Sequence, residues 1–105
     1  IGGPLEEVAR LATEATARPI NIRNADPMVA ELEKELLDAL NMSQIGPMGM
    51  GGDTTALAVN IECSGTHRPW MPVAVNINCW PGRKATCRIY TDGRVEQIIG
   101  GASHA

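Results

Sequence analysis

Apolar residues recur at Leu5, Val8, Leu11, Ala12 and Ala15, a spacing of three and four that puts them on one face of a helix. Pro4 stands at the first helical position and Glu6 and Glu7 fill the first turn, where the helix dipole favours acids. A first helix is therefore predicted over about Pro4 to Ala17, stopped by Pro19. A second start is marked by Asp26 as cap and Pro27 behind it. Val29, Leu32, Leu36, Leu37 and Leu40 then interleave with Glu31, Glu33 and Glu35, so a second helix is predicted to end near Leu40. Its acidic residues read as a solvated face.

The period then changes from helical to alternating. Leu57, Val59, Ile61 and Cys63 share one face of the stretch Ala56 to Cys63, and Val73, Val75, Ile77 and Cys79 share one face of Val73 to Cys79. Both read as strands. Ala85 to Tyr90 and Arg94 to Ile98 flank Thr91-Asp92-Gly93, whose Asp-Gly pair signals a hairpin. The expected fold class is α+β: two N-terminal helices, then a small, mainly antiparallel sheet of about four strands ending in a hairpin. Residues 1–42 form the helical part, 43–55 a Gly-rich loop, 56–99 the sheet and 100–105 a frayed tail in which His104 is inert. Ser64 to Met71 should be an exposed or cleft-lining loop.

Composition adjusts this picture. At 105 residues the chain is a single unit, and with no Phe, one Tyr and two Trp its core must be built from Ala, Val, Ile, Leu and Met. Each of these buries little area, which makes a partner surface or cofactor plausible. A net charge of −3 without a basic stripe or paired aromatics argues against nucleic acid as a partner. No run of apolar residues is long enough to span a membrane and no export leader is evident. The opening Ile1-Gly2-Gly3 reads as the middle of a longer polypeptide. Three cysteines, an odd number, suit a reducing cytoplasm better than a disulfide framework. Their positions, 63, 79 and 87, match no zinc knuckle, ferredoxin run or CxxC pair, so they need not share a site.

The loop Ser43 to Asp53 carries Gly46, Gly49, Gly51 and Gly52. A phosphate cradle would need a following Gly-Lys-Ser or Gly-Lys-Thr, or a preceding strand, and neither is present. An ordinary turn is favoured over such a cradle, and a third reading is a close approach of backbone amides to a ligand or cofactor.

The ordered set Ile45-Gly46-Pro47-Met48-Gly49-Met50-Gly51-Gly52-Asp53-Thr54-Thr55-Ala56-Leu57-Ala58-Val59, then Thr66-His67, then Pro72-Val73-Ala74-Val75-Asn76 and Cys79 resembles the iron-sulfur hydro-lyases. The resemblance is to the alpha half of class I fumarases and L-tartrate dehydratases. Asn24-Ala25-Asp26-Pro27 and Ile1-Gly2-Gly3-Pro4-Leu5-Glu6-Glu7 fit the same pattern, which runs to about Gln97.

The resemblance implies a [4Fe-4S] cluster held by three cysteines, with Cys79 on the last of the three positions and the other two upstream of this chain. On these residues alone the cluster should be absent. Cys63 and Cys87 are then strand residues facing the core or a sheet neighbour. The implied reaction adds water across a dicarboxylate double bond or removes it from a 2-hydroxy dicarboxylate. An open iron would act as a Lewis acid, with Trp80 shielding the cluster from water. His67 falls on a motif histidine near the substrate entrance, where an imidazole can donate to a carboxylate or pass a proton, with Thr66 as a supporting, substrate-binding hydroxyl. Arg83 could hold a dicarboxylate through its guanidinium or, with Lys84, be a plain surface cation. The implied partners are the upstream part of the alpha chain and a beta subunit, which supplies the general base, within an oligomer. An alternative is a metal-free structural module that serves only subunit interaction.

Overall fold

The structure, a computed structural model, describes residues 1–79 and 84–99. Helix α1 spans Leu5–Ala17. It begins after Pro4, whose carbonyl accepts the Val8 N–H at 2.9 Å, and it ends at Arg18, whose extended backbone leads into Pro19. Its inward face is Val8, Leu11 and Ala15. On the outer face, Arg10 bridges Glu7 and Glu14 at helical spacing.

Helix α2 spans Pro27–Met42, two residues beyond the predicted end. Asp26 caps it as expected: a side-chain oxygen accepts the Met28 N–H at 2.9 Å. The face it turns inward is not its leucine stripe. Leu32, Leu36 and Leu40 are 38–42 % exposed, whereas Glu33 is fully buried. Reading Glu33 as part of a solvated face is therefore corrected, while Glu31 and Glu35 are exposed as expected.

Strand β1, Thr86–Ile89, pairs antiparallel with β2, Val95–Ile99, in a two-stranded sheet. Gly93 at φ +84° makes the turn, and the Arg94 N–H caps it on Asp92 at 2.9 Å. The Arg94 guanidinium lies over the Tyr90 ring, 4.3 Å from its centre.

The other two predicted strands do not form. Residues 56–63 and 73–79 are in neither sheet nor helix, so two strands replace the expected four among the described residues. The alternation predicts strands, but a strand needs a neighbour to bond its backbone, and among the described residues only the Ile1 backbone bonds an edge there, at Glu62, so no ladder runs along either segment. Leu57, Val75 and Ile77 are 70–95 % exposed in consequence.

The apolar core is correspondingly small: Val8, Leu11, Ala15 and Ile61. The radius of gyration is 16.5 Å, against about 13 Å for a compact domain of this length. Among the described residues, no helix is long and apolar enough to cross a membrane.

Candidate functional site

A hydrogen-bonded hub takes the place of a sheet along residues 59–62. The Glu33 carboxylate sits at its centre. One oxygen accepts the Ile61 N–H at 2.8 Å and the Arg18 guanidinium at 2.5 Å, and the other accepts the Asn24 N–H at 3.1 Å and Arg23 at 3.3 Å. The two arginines also reach the extended segment directly, Arg18 to the Ile61 carbonyl at 2.9 Å and Arg23 to the Val59 carbonyl at 2.7 Å. Asn60 completes the hub by donating to the carbonyls of Ala15 and Arg18 at the end of α1. Burial opposes the Glu33 charge, but the bonds from Ile61, Arg18 and Asn24 outweigh it and hold the carboxyl below its usual range.

One helical turn pair further along α2, Asn41 accepts the N–H groups of Thr55 and Ala56 at 2.8 and 3.0 Å. Glu33 and Asn41 thus present two polar side chains to backbone that has no strand partner. Neither was singled out from sequence. The available signal was phase: Glu33 stands four residues after Val29 and four before Leu37, both half-buried, so it shares their face.

The Gly-rich loop folds onto itself. Gly46 lies at φ +73°, and a Cβ there would come within 2.2 Å of the Gly51 carbonyl, so only glycine fits. The amides of Gly46, Gly49, Met50 and Gly51 are bound within the loop or to Thr55. Those four amides are engaged within the protein, which removes them from any phosphate cradle.

Thr66 and His67 sit on the loop from Ser64 to Pro72, both exposed. The loop is pinned at its ends by the first residues of the chain: Ser64 N–H donates to the Ile1 carbonyl, Gly3 N–H to Gly65 and Gly2 N–H to Pro72, at 2.9–3.0 Å. Inside it, the Thr66 hydroxyl donates to the Trp70 carbonyl at 2.8 Å, and Trp70 N–H returns to the His67 carbonyl at 3.2 Å. Thr66 therefore shapes the loop that displays His67.

Cys79 is an exposed free thiol at the end of segment 73–79. It lines a broad groove of about 1990 Å³ that runs between segments 54–61 and 73–79, floored by α1 and bounded by Lys84. Thr66 and His67 are not among the residues that line it. Arg83 and Trp80 lie outside the described residues, as does His104. Cys63 and Cys87 are exposed: Cys63 lies outside any strand and does not face the core, which corrects that expectation, whereas Cys87 stands in β1 opposite its sheet neighbour Gln97. Among the described residues, no three His, Cys, Asp or Glu side chains converge as a metal site would require. The groove thus offers the Cys79 thiol, the Met48 thioether and the cations Arg18 and Lys84, in a largely apolar and Asn/Thr-lined channel.

Comparison with known proteins adds the wider context. The family model described as Fumarate hydratase (Fumerase) matches residues 1–88. A Methanocaldococcus jannaschii protein described as "Putative L(+)-tartrate dehydratase subunit alpha" is 45 % identical over 95 residues, covering 90 % of this chain and 33 % of that protein. The L(+)-tartrate dehydratase subunit alpha of Escherichia coli strain UTI89 is 37 % identical over 98 residues, covering 93 % of this chain and 32 % of the relative. In Escherichia coli K12 the corresponding subunit is 36 % identical over the same length. The chain spans about a third of the length of the curated relatives it matches.

Proposed function

We propose a function from one premise: this chain belongs to the fumarate hydratase (Fumerase) family. It acts as one portion of the alpha subunit of a hydro-lyase that hydrates or dehydrates a small dicarboxylate, fumarate with malate or tartrate with oxaloacetate. The observation that carries the reading is Cys79, an exposed free thiol that lines an open groove, in a chain 36–45 % identical to proteins described as L(+)-tartrate dehydratase alpha subunits, the one at 45 % as "Putative".

The donor chemistry fits a [4Fe-4S] cluster in part. A cluster takes soft thiolates, and an accessible thiolate is the reactive form of cysteine; Cys79 can hold one iron, while two further thiolates must come from outside the described residues. When bound, such a cluster supplies an iron that acts as a Lewis acid toward an oxygen of the substrate. The residues of this chain bind and orient. His67, displayed on its pinned loop, donates a proton or a hydrogen bond at an imidazole nitrogen. Arg83 supplies a bidentate partner for a substrate carboxylate. A general base and the opposite wall of the pocket come from a beta subunit, consistent with the alpha designation of the relatives. The exposed leucine, valine and methionine side chains suit a part that completes itself against other polypeptide, and they also suit the interaction-module reading, in which no cluster forms.

Substitution in the complete enzyme separates these readings. Cys79→Ser should abolish both the cluster's visible absorbance and dicarboxylate hydration after anaerobic reconstitution with iron and sulfide, while Cys63→Ser and Cys87→Ser leave both intact. Full absorbance in Cys79→Ser would remove Cys79 from the site.

A further inference from the structure

The groove between segments 54–61 and 73–79 has the geometry of a sheet with its middle strand missing, and the first residues of the chain show which strand it is. The Ile1 nitrogen donates to the Glu62 carbonyl at 2.7 Å, and the Ser64 N–H donates to the Ile1 carbonyl at 2.9 Å. One residue bonding to positions either side of its neighbour is the pattern of a parallel ladder. On its other edge, Gly2 donates to the Pro72 carbonyl at 2.9 Å. The segment 1–3 is therefore already wedged between the two extended segments at one end of the groove, and Ile1 itself lines it.

Continuing that ladder backward from Ile1 gives a definite register. In extended chain the N–H and C=O of one residue point to the same side and those of the next residue point to the other. Val59 and Ile61 direct theirs at the hub of Glu33, Arg18 and Arg23. Ala58, Asn60 and Glu62 have the opposite parity, facing the groove. The Glu62 carbonyl is bonded to Ile1. The Glu62 N–H and the backbone groups of Ala58 and Asn60 have no hydrogen-bond partner among the described residues. On the far wall, Ala74 and Asn76 share the parity of Pro72, whose carbonyl Gly2 takes, and no backbone bond joins 73–79 to another described residue. Polar backbone left open on both walls of an apolar channel calls for a strand between them.

We infer that the polypeptide preceding Ile1 in the complete subunit enters this groove as a central strand, parallel to residues 56–62 and antiparallel to 73–79. This rests on the reading that the chain is one part of a longer alpha-subunit polypeptide, which the relatives, about three times its length, support. The inserted strand turns 56–62 and 73–79 into members of one sheet, so Cys79 becomes the end of a paired strand.

Backbone amide exchange tests this in two forms of the protein: the chain beginning at Ile1 and the complete subunit with its natural preceding residues. In the complete subunit the Ala58, Asn60 and Glu62 amides should exchange at least about tenfold more slowly than in the chain beginning at Ile1. They should also show nuclear Overhauser contacts to the residues just before Ile1, and the protection should survive dilution. If the shorter chain does not fold, the contacts and the dilution series in the complete subunit decide alone. Contacts from these amides to any other segment, rapid exchange in the complete subunit, protection lost on dilution (a second copy), or protection gained only with a beta subunit would each overturn the assignment. None of these readouts depends on a cluster or on activity, so they stand apart from the Cys79 test.

Discussion

Removing the Glu33 carboxylate should cost more than any other single polar change in the described structure. The side chain is fully buried and accepts four hydrogen bonds, two of them from arginines. In Glu33→Ala the Arg18 side chain, only 13 % exposed, loses its buried counter-charge and keeps Glu62 at 3.1 Å as its remaining acidic neighbour. Breaking a buried pair from one side costs about 3–5 kcal/mol, against a total of about 5–15 kcal/mol for a domain of ordinary stability. Glu33→Gln keeps the shape and one acceptor oxygen but turns an N–H toward groups that donate, and should cost about 2–3 kcal/mol. Urea unfolding followed by far-ultraviolet circular dichroism measures both. The pH dependence supplies a second, independent check. Because the folded carboxyl titrates below its usual value of 4.5, its contribution is complete above that pH and is lost as pH falls through the depressed folded value. Wild type should therefore weaken in acid through this group, and Glu33→Gln should show a flatter acid limb. A loss under about 1 kcal/mol for Glu33→Ala, or an unchanged acid limb in Glu33→Gln, would refute the hub as the element that replaces strand pairing.

The glycine loop gives a contrast between neighbours. Gly46→Ala meets the Gly51 backbone at 2.2 Å as well as a left-handed φ and should lower the thermal midpoint by several degrees, while Gly49→Ala, with open space at φ +72°, should cost only about 1–2 kcal/mol of backbone strain. Asp26→Ala removes the α2 cap and should cost about 1 kcal/mol in the same unfolding assay; no change would mean that another group caps the helix.

What could be read from the sequence follows the range over which each signal acts. Pro4, Pro19, Asp26 and Pro27 fix helix ends through neighbours within one turn, and Asp92-Gly93 fixes a hairpin through the φ of one residue; these elements stand where the pattern placed them. The family resemblance was likewise legible, because its motifs lie in order along the chain and the matching family model covers residues 1–88. Segments 56–63 and 73–79 are different: alternation declares an extended chain but does not say what will pair with it. Glu33 shows the same gap from the other side. Its charge suggests solvent, and only Arg18 and Arg23 from the α1–α2 connection together with the Ile61 backbone decide for burial. The helices, the hairpin and the family membership follow from residues close together along the chain. The burial of a carboxylate beneath residues 59–62, where a strand was expected, and the opening of Cys79 onto a groove do not, because both depend on contacts between residues far apart in the chain.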